Sequence, residues 1–136
     1  MILVRERLPT VNVMQTHVEF RSSAFPPYES EFDEINPGRY GKRLAEYLVT
    51  GLRREGEIVG EPGAEDWGWI VPVAHDEFRL WIGAGNYDEY DDGFLCFIEP
   101  HTEYVRRWCK KVPAAPRVAL LQSRMDKVLQ AHPDIR

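Results

Sequence analysis

Trp67–Gly85 reads W-G-W-I-V-P-V-A-H-D-E-F-R-L-W-I-G-A-G, and the fold turns on how this stretch doubles back. Two runs rich in β-branched and aromatic residues flank His75-Asp76. Taken as a two-residue hairpin loop, His75-Asp76 sets Val73 opposite Phe78, Val71 opposite Leu80, Trp69 opposite Ile82 and Trp67 opposite Ala84. Every pair is apolar and all share one face. A slip of one residue would mix this set with the other face. Continuing past the loop N-Y-D-E-Y-D-D with Gly85 opposite Gly93 places Ile82 on Cys96, Leu80 on Ile98 and Ala84 on Phe94. One face is therefore apolar across Trp67–Ala74, Glu77–Gly85 and Gly93–Glu99.

The opposite face carries three rows in this register: Pro72, Arg79 and Glu99; Ile70, Trp81 and Phe97; Gly68, Gly83 and Leu95. Arg79 and Glu99 read as a cross-strand ion pair. Such a face is too apolar for one that meets water. Either C-terminal helices cover it, which their own apolar stripes favour, or it is an aromatic patch of the kind that binds a partner.

Outward from this centre, Val11–Arg21 reads as a strand and Ser22–Asn36 as a long polar loop, mobile or functional. Asn36-Pro37 reads as the N-cap and first residue of a helix. Tyr40, Leu44, Tyr47, Leu48 and Leu52 lie on its apolar face, Arg53 and Arg54 in its last turn, and Gly56 at its C-cap. Glu57–Val59 reads as a short strand and Pro62-Gly63 as a turn. Beyond Pro100, Thr102 reads as the cap of a helix with apolar Tyr104, Val105, Trp108 and Val112, ended by Pro113. A last helix from Pro116 to Ala131 carries Val118, Leu121, Met125 and Val128 on one face. The expected fold is a single α+β domain over residues 1–136. It has an antiparallel sheet of four to five strands in a meander, an N-terminal strand then a helix, and two C-terminal helices packing on the sheet.

Net charge −5 and pI about 5.4 argue against a nucleic-acid backbone as the main partner and fit a basic protein partner. No apolar run approaches the ~18 residues of a membrane span, and the N-terminus is too short and too charged for a secretory signal. Cys96 and Cys109 form no C-x-x-C motif and read as reduced thiols. A cytoplasmic protein is expected; the residues leave open whether it is a monomer or homodimer.

The acids gather at one end of the sheet. Glu61, Glu65 and Asp66 precede the first strand of the central stretch, and Asp88, Glu89, Asp91 and Asp92 lie in the next loop with Tyr87 and Tyr90. Asp88, Asp92, Gly93 and Glu99 fall at EF-hand positions. Tyr90 occupies a ligand position, and strands flank the loop where helices are required, so it reads as a solvated hairpin loop. Cys96, His101 and Cys109 lack zinc spacing. No nucleophile turn or phosphate loop is present. No catalytic residue, metal or cofactor is expected. The candidate binding residues are Glu65, Asp66, Gly68, Trp81, Tyr87, Asp88, Tyr90, Asp91 and Asp92, with Gly68 beside Gly83 leaving a low spot next to Trp81.

The runs G-R-Y-G-K-R-L-A-E-Y-L and E-I-V-G-E-P-G-A-E-D-W-G-W, within Gly38–Trp69, resemble small uncharacterised bacterial α/β proteins in which a helix leads through a G/E-P turn to E-D-W-G-W and a strand. The resemblance implies a small α/β domain and carries no activity or catalytic residue. The chain thus reads as a binding protein rather than an enzyme, engaging a basic partner through its acidic, aromatic end. A toxin-neutralising protein of the immunity type has this size and charge. The alternative is a small-ligand binder or hydrolase-like enzyme with a pocket of Glu65, Asp66, Trp67, Tyr87 and Asp88, lidded by Ser22–Asn36.

Overall fold

Alternating apolar runs joined by short turns form the centre of the protein, which the computed structural model describes over residues 16–135. Strands β1 (His17–Arg21), β2 (Gly63–Glu65), β3 (Gly68–Val73), β4 (Leu80–Asn86) and β5 (Gly93–Glu99) make one antiparallel sheet in the order β1-β5-β4-β3-β2. β2 to β5 follow one another as neighbours, and β1 takes the far edge beside β5. Positions 11–15 of the expected first strand lie outside the described residues. The short edge strand β2 begins within the expected Pro62-Gly63 turn and ends before Trp67, where the first central strand is expected to start. The expected strand at Glu57–Val59 reduces to one bridge, Val59 to Val73.

Each central hairpin is displaced from the expected register by one pleat repeat. Trp69 faces Ala84 and Val73 faces Leu80, because the connection is the whole of Ala74–Arg79 rather than the two residues His75-Asp76. Ile82 faces Ile98 and Ala84 faces Cys96. The pleat has a period of two, so this displacement exchanges partners and leaves each side chain on its face. The inner face is the core: Trp69, Val71, Val73, Leu80, Ile82, Ala84, Phe94, Cys96 and Ile98 are all buried. Burial pushes the Cys96 thiol far above its ordinary pKa.

Helix α2 (Lys42–Arg54) follows the short helix α1 (Glu31–Glu34) and lays Leu44, Leu48 and Leu52, with Ala45 and Val49, onto that face. Gly56 follows with φ +96, the left-handed position that ends many helices. Helix α3 (Ala115–Gln130) buries Val118, Leu121, Met125 and Val128, as its spacing predicts. It packs on α2 where Gly51 has no side chain; a Cβ there would collide with Val128. Asn36 does not cap α2. The helix begins at Lys42 behind Gly41, with no side-chain cap from the adjacent residue.

Two further expectations fail. The helix after Thr102 is a two-stranded hairpin, β6 (Tyr104–Arg107) and β7 (Lys110–Pro113). Val105 faces Val112 across it and both meet the core, while Trp108 sits in the turn. The second failure is coverage of the outer sheet face. Both long helices join the inner face in one hydrophobic cluster, and Trp67, Trp81 and Phe97 on the outer face keep solvent exposure. Among the described residues, no helix is long and apolar enough to cross a membrane.

Candidate functional site

In E-D-W-G-W, Glu65 pairs with Gly68 across β2 and β3, so Asp66 and Trp67 are the two turn residues of a tight hairpin. Side chains in a turn leave the strand alternation. Trp67 therefore departs from its expected core position opposite Ala84 and lies on the outer face, 37% exposed. Trp69, inside β3, stays on the inner face at 3%. Its indole N–H donates to Glu31 Oε2 at 2.8 Å.

Glu31 is fully buried and saturated. Oε2 also accepts from the backbone N–H of Gly41 at 2.7 Å and of Lys42 at 3.0 Å, and Oε1 accepts from Tyr28 N–H at 3.0 Å. It supplies the missing N-cap of α2 from a distant segment, where a carboxylate also suits the helix dipole. This is structural work. It also removes the lid expected of Ser22–Asn36: Phe25 and Ile35 are core residues, and Ser22 and Ser23 bind Asp134.

On the outer face, Trp67, Trp81 and Phe97 form one cluster. Ring centroids lie 6.3 Å apart for Trp67–Trp81, 5.3 Å for Trp67–Phe97 and 5.7 Å for Trp81–Phe97, all within the range of favourable aromatic contact. Gly83 is their floor: a Cβ there would collide with Phe97 and come 2.8 Å from Trp67. The expected low spot over Gly68 does not exist, because a Cβ at Gly68 would meet the Ala84 carbonyl at 2.6 Å. Nor do Arg79 and Glu99 pair as expected. Glu99 faces Trp81 and lies 2.9 Å from His101 Nδ1, and the Arg79 guanidinium sits 5.9 Å over the Trp81 ring.

The β4–β5 loop holds Tyr87, Asp88, Tyr90, Asp91 and Asp92 at the same sheet end as Glu65 and Asp66. It is stitched to the segment before α2. Arg39 pairs with Asp88 at 3.0 Å, Tyr40 Oη donates to the Asp91 carbonyl at 2.8 Å, and Asn86 bonds Tyr40 N–H and the Gly38 carbonyl. Arg21 pairs with Asp92 at 2.8 Å and lies 4.2 Å over the Tyr90 ring, and Tyr87 packs beneath Gly93. Burial, with the nearby carboxylates Glu19 and Glu89, raises the pKa of Tyr87. Arg21 and Arg39 thus offset part of the loop's negative charge. Glu65 and Asp66, both exposed beside Trp67, have no cation paired with them among the described ion pairs, as is also so of Glu89 and Asp91 in the loop.

The structure therefore unites Glu65, Asp66 and Trp81 through Trp67, whose ring reaches from the acidic turn to the middle of the outer face. Trp67 and Phe97 join the candidate residues, while Gly68 leaves them as a site of close backbone packing. A turn leaves the strand alternation, which hides Trp67; Asp66, a residue type that turns favour, is the local signal. Clefts of about 460 Å³ and 420 Å³ lie elsewhere, the first between the β3–β4 connection and β6, the second between α2 and α3. Neither is lined by Glu65, Asp66, Trp67, Tyr87 or Asp88. Among the described residues, no group of three or more His, Cys, Asp or Glu side chains converges as metal ligands. No family model matches the chain, and no curated protein or solved structure matches it either.

Proposed function

We propose that the protein is a non-catalytic binding module that takes a basic segment of another protein on the outer face of its sheet. The observation that carries this reading is the Trp67–Trp81–Phe97 cluster, left partly exposed beside the carboxylates of Glu65 and Asp66. Indole faces attract guanidinium and ammonium groups, and the protein already makes this contact with its own Arg79 over Trp81. Carboxylates at the rim steer a cationic partner and set its orientation. Inhibition of a basic toxin in the manner of an immunity protein is the form of this role that size and charge suggest.

The test is a titration of lysine- and arginine-bearing peptides and of any protein co-purified from the source cell, read by tryptophan emission and calorimetry. Trp67→Ala and Trp81→Ala are expected to weaken binding at least tenfold, and a Glu65→Lys/Asp66→Lys double variant to slow association and flatten its salt dependence. A partner that binds all these variants as it binds the parent overturns the reading.

A further inference from the structure

The hairpin β6–β7 carries a local charge opposite to that of the whole chain. Arg106 faces Lys111 and Arg107 faces Lys110 across the ladder, and all four side chains are exposed. Arg107 and Lys110 share the face of Val105 and Val112, and Arg106 and Lys111 share the other face with Tyr104. The ribbon is therefore cationic on both faces. Lys111 Nζ stands 4.0 Å over the Tyr104 ring, which is itself exposed.

Trp108 occupies the first position of the two-residue turn. It is 92% exposed and has φ +60. Glycine or asparagine favours that backbone conformation, and a bulky residue there costs stability. An indole in water returns none of that cost by burial. Folding does not account for this residue, and a strained, solvent-held side chain is a mark of function.

We propose that the β6–β7 hairpin is a binding arm for an unpaired nucleic-acid strand, with Trp108 stacking on a base and Arg106, Arg107, Lys110 and Lys111 contacting phosphates. An exposed aromatic with cations around it is the chemistry by which single strands are held without base-specific hydrogen bonds. Cations on both faces suit a strand that follows the ribbon around its tip; a lipid surface meets only one face. The net acidity of the chain is no obstacle. The acidic turn and loop lie at the Gly93 end of β5 and the hairpin follows its Glu99 end, a separation of about 20 Å along the strand, or more than two screening lengths at physiological salt.

The experiment is anisotropy of a labelled oligothymidylate of roughly 12 nucleotides, titrated with the full chain from low to moderate salt. Three controls run beside it: duplex DNA of the same length, phosphatidylglycerol vesicles, and sedimentation of the protein alone. Affinity for the single strand is expected to fall with salt, with a log–log slope of about −0.7 for each phosphate contacted. Trp108→Gly, which relieves the backbone, is expected to leave the melting temperature equal or higher and to weaken binding about five- to a hundredfold, with Trp108→Tyr restoring most of it. An Arg107→Ala/Lys110→Ala double variant is expected to make the slope shallower by about 1.4. Failure to bind the oligonucleotide at low salt overturns the proposal. So does binding that Trp108→Gly leaves unchanged, equal affinity for duplex, preference for vesicles, or salt-sensitive self-association that the same variants abolish.

Discussion

Trp67 and Trp69 stand one residue apart, and the two faces of the sheet differ as they do. Trp69 is buried under α2 with its N–H held by a buried carboxylate; Trp67 lies over Gly83 with more than a third of its surface in water. The inner face is closed by two helices and a hairpin into one core. The outer face keeps three aromatic rings in contact with one another and with solvent. The difference separates side chains the fold requires from side chains it merely tolerates.

The largest test of this difference is truncation of the two tryptophans. Trp69→Ala should cost about 4 kcal/mol in urea unfolding, and Trp67→Ala only about 1 kcal/mol, from lost ring contacts; similar costs would erase the contrast between the faces. Glu31→Ala should cost about 3 kcal/mol, because four buried or partly buried N–H donors lose their acceptor, and Glu31→Gln should recover part of it.

A second buried carboxylate sharpens the point. Glu57 receives Arg117 at 2.5 and 3.0 Å and Arg124 at 2.8 Å. Burial pushes its pKa up, but the two arginine hydrogen bonds and their charges outweigh burial and hold it below its ordinary 4.5. A lowered folded-state pKa gives stability that is complete above the unfolded value and lost as pH falls through the folded one. The stability gap between the parent and Glu57→Gln should therefore narrow as unfolding is repeated from pH 7 into the acid range. Arg117→Ala should cost about 2 kcal/mol at neutral pH, since it leaves a buried charge half-paired. Gly83→Ala should cost about 1 kcal/mol and shift tryptophan emission, because its methyl displaces Phe97 and Trp67 from the outer face. The smallest effect belongs to Asp88→Asn: its pair with Arg39 is exposed, and the change in melting should correspond to less than about 0.5 kcal/mol.

Face assignment was legible before partner assignment. Alternation alone puts every inner-face residue of the three central strands from Trp69 to Ile98 on its correct side, although both registers are displaced, because parity survives a shift of one pleat repeat. The stripes of α2 and α3 were legible for the same reason: a period is a local property. What failed depended on contacts between distant segments or on turns without turn residues. Tyr104, Val105, Trp108 and Val112 satisfy a helical spacing, and Trp108-Cys109 lacks the glycine or asparagine that announces a hairpin. Alternation predicts the core face for Trp67, but β3 begins at Gly68 and the turn frees the ring to the other face. Glu31 caps a helix ten residues away and binds an indole in β3, a role no local pattern encodes. Of the candidate site, the acidic residues and Trp81 were readable; the ring that joins them was not.

Glu31 also has a kinetic consequence. The first amides of a helix ordinarily fray and exchange their protons readily, since they have no partner within the helix. Here the Gly41 and Lys42 amides are closed by a carboxylate that simultaneously holds Tyr28 and Trp69. Releasing one of them means opening the loop, the helix start and β3 together. In hydrogen exchange these two amides should behave as members of the sheet, with protection approaching that of whole-molecule unfolding, while the last turn of α2 exchanges faster.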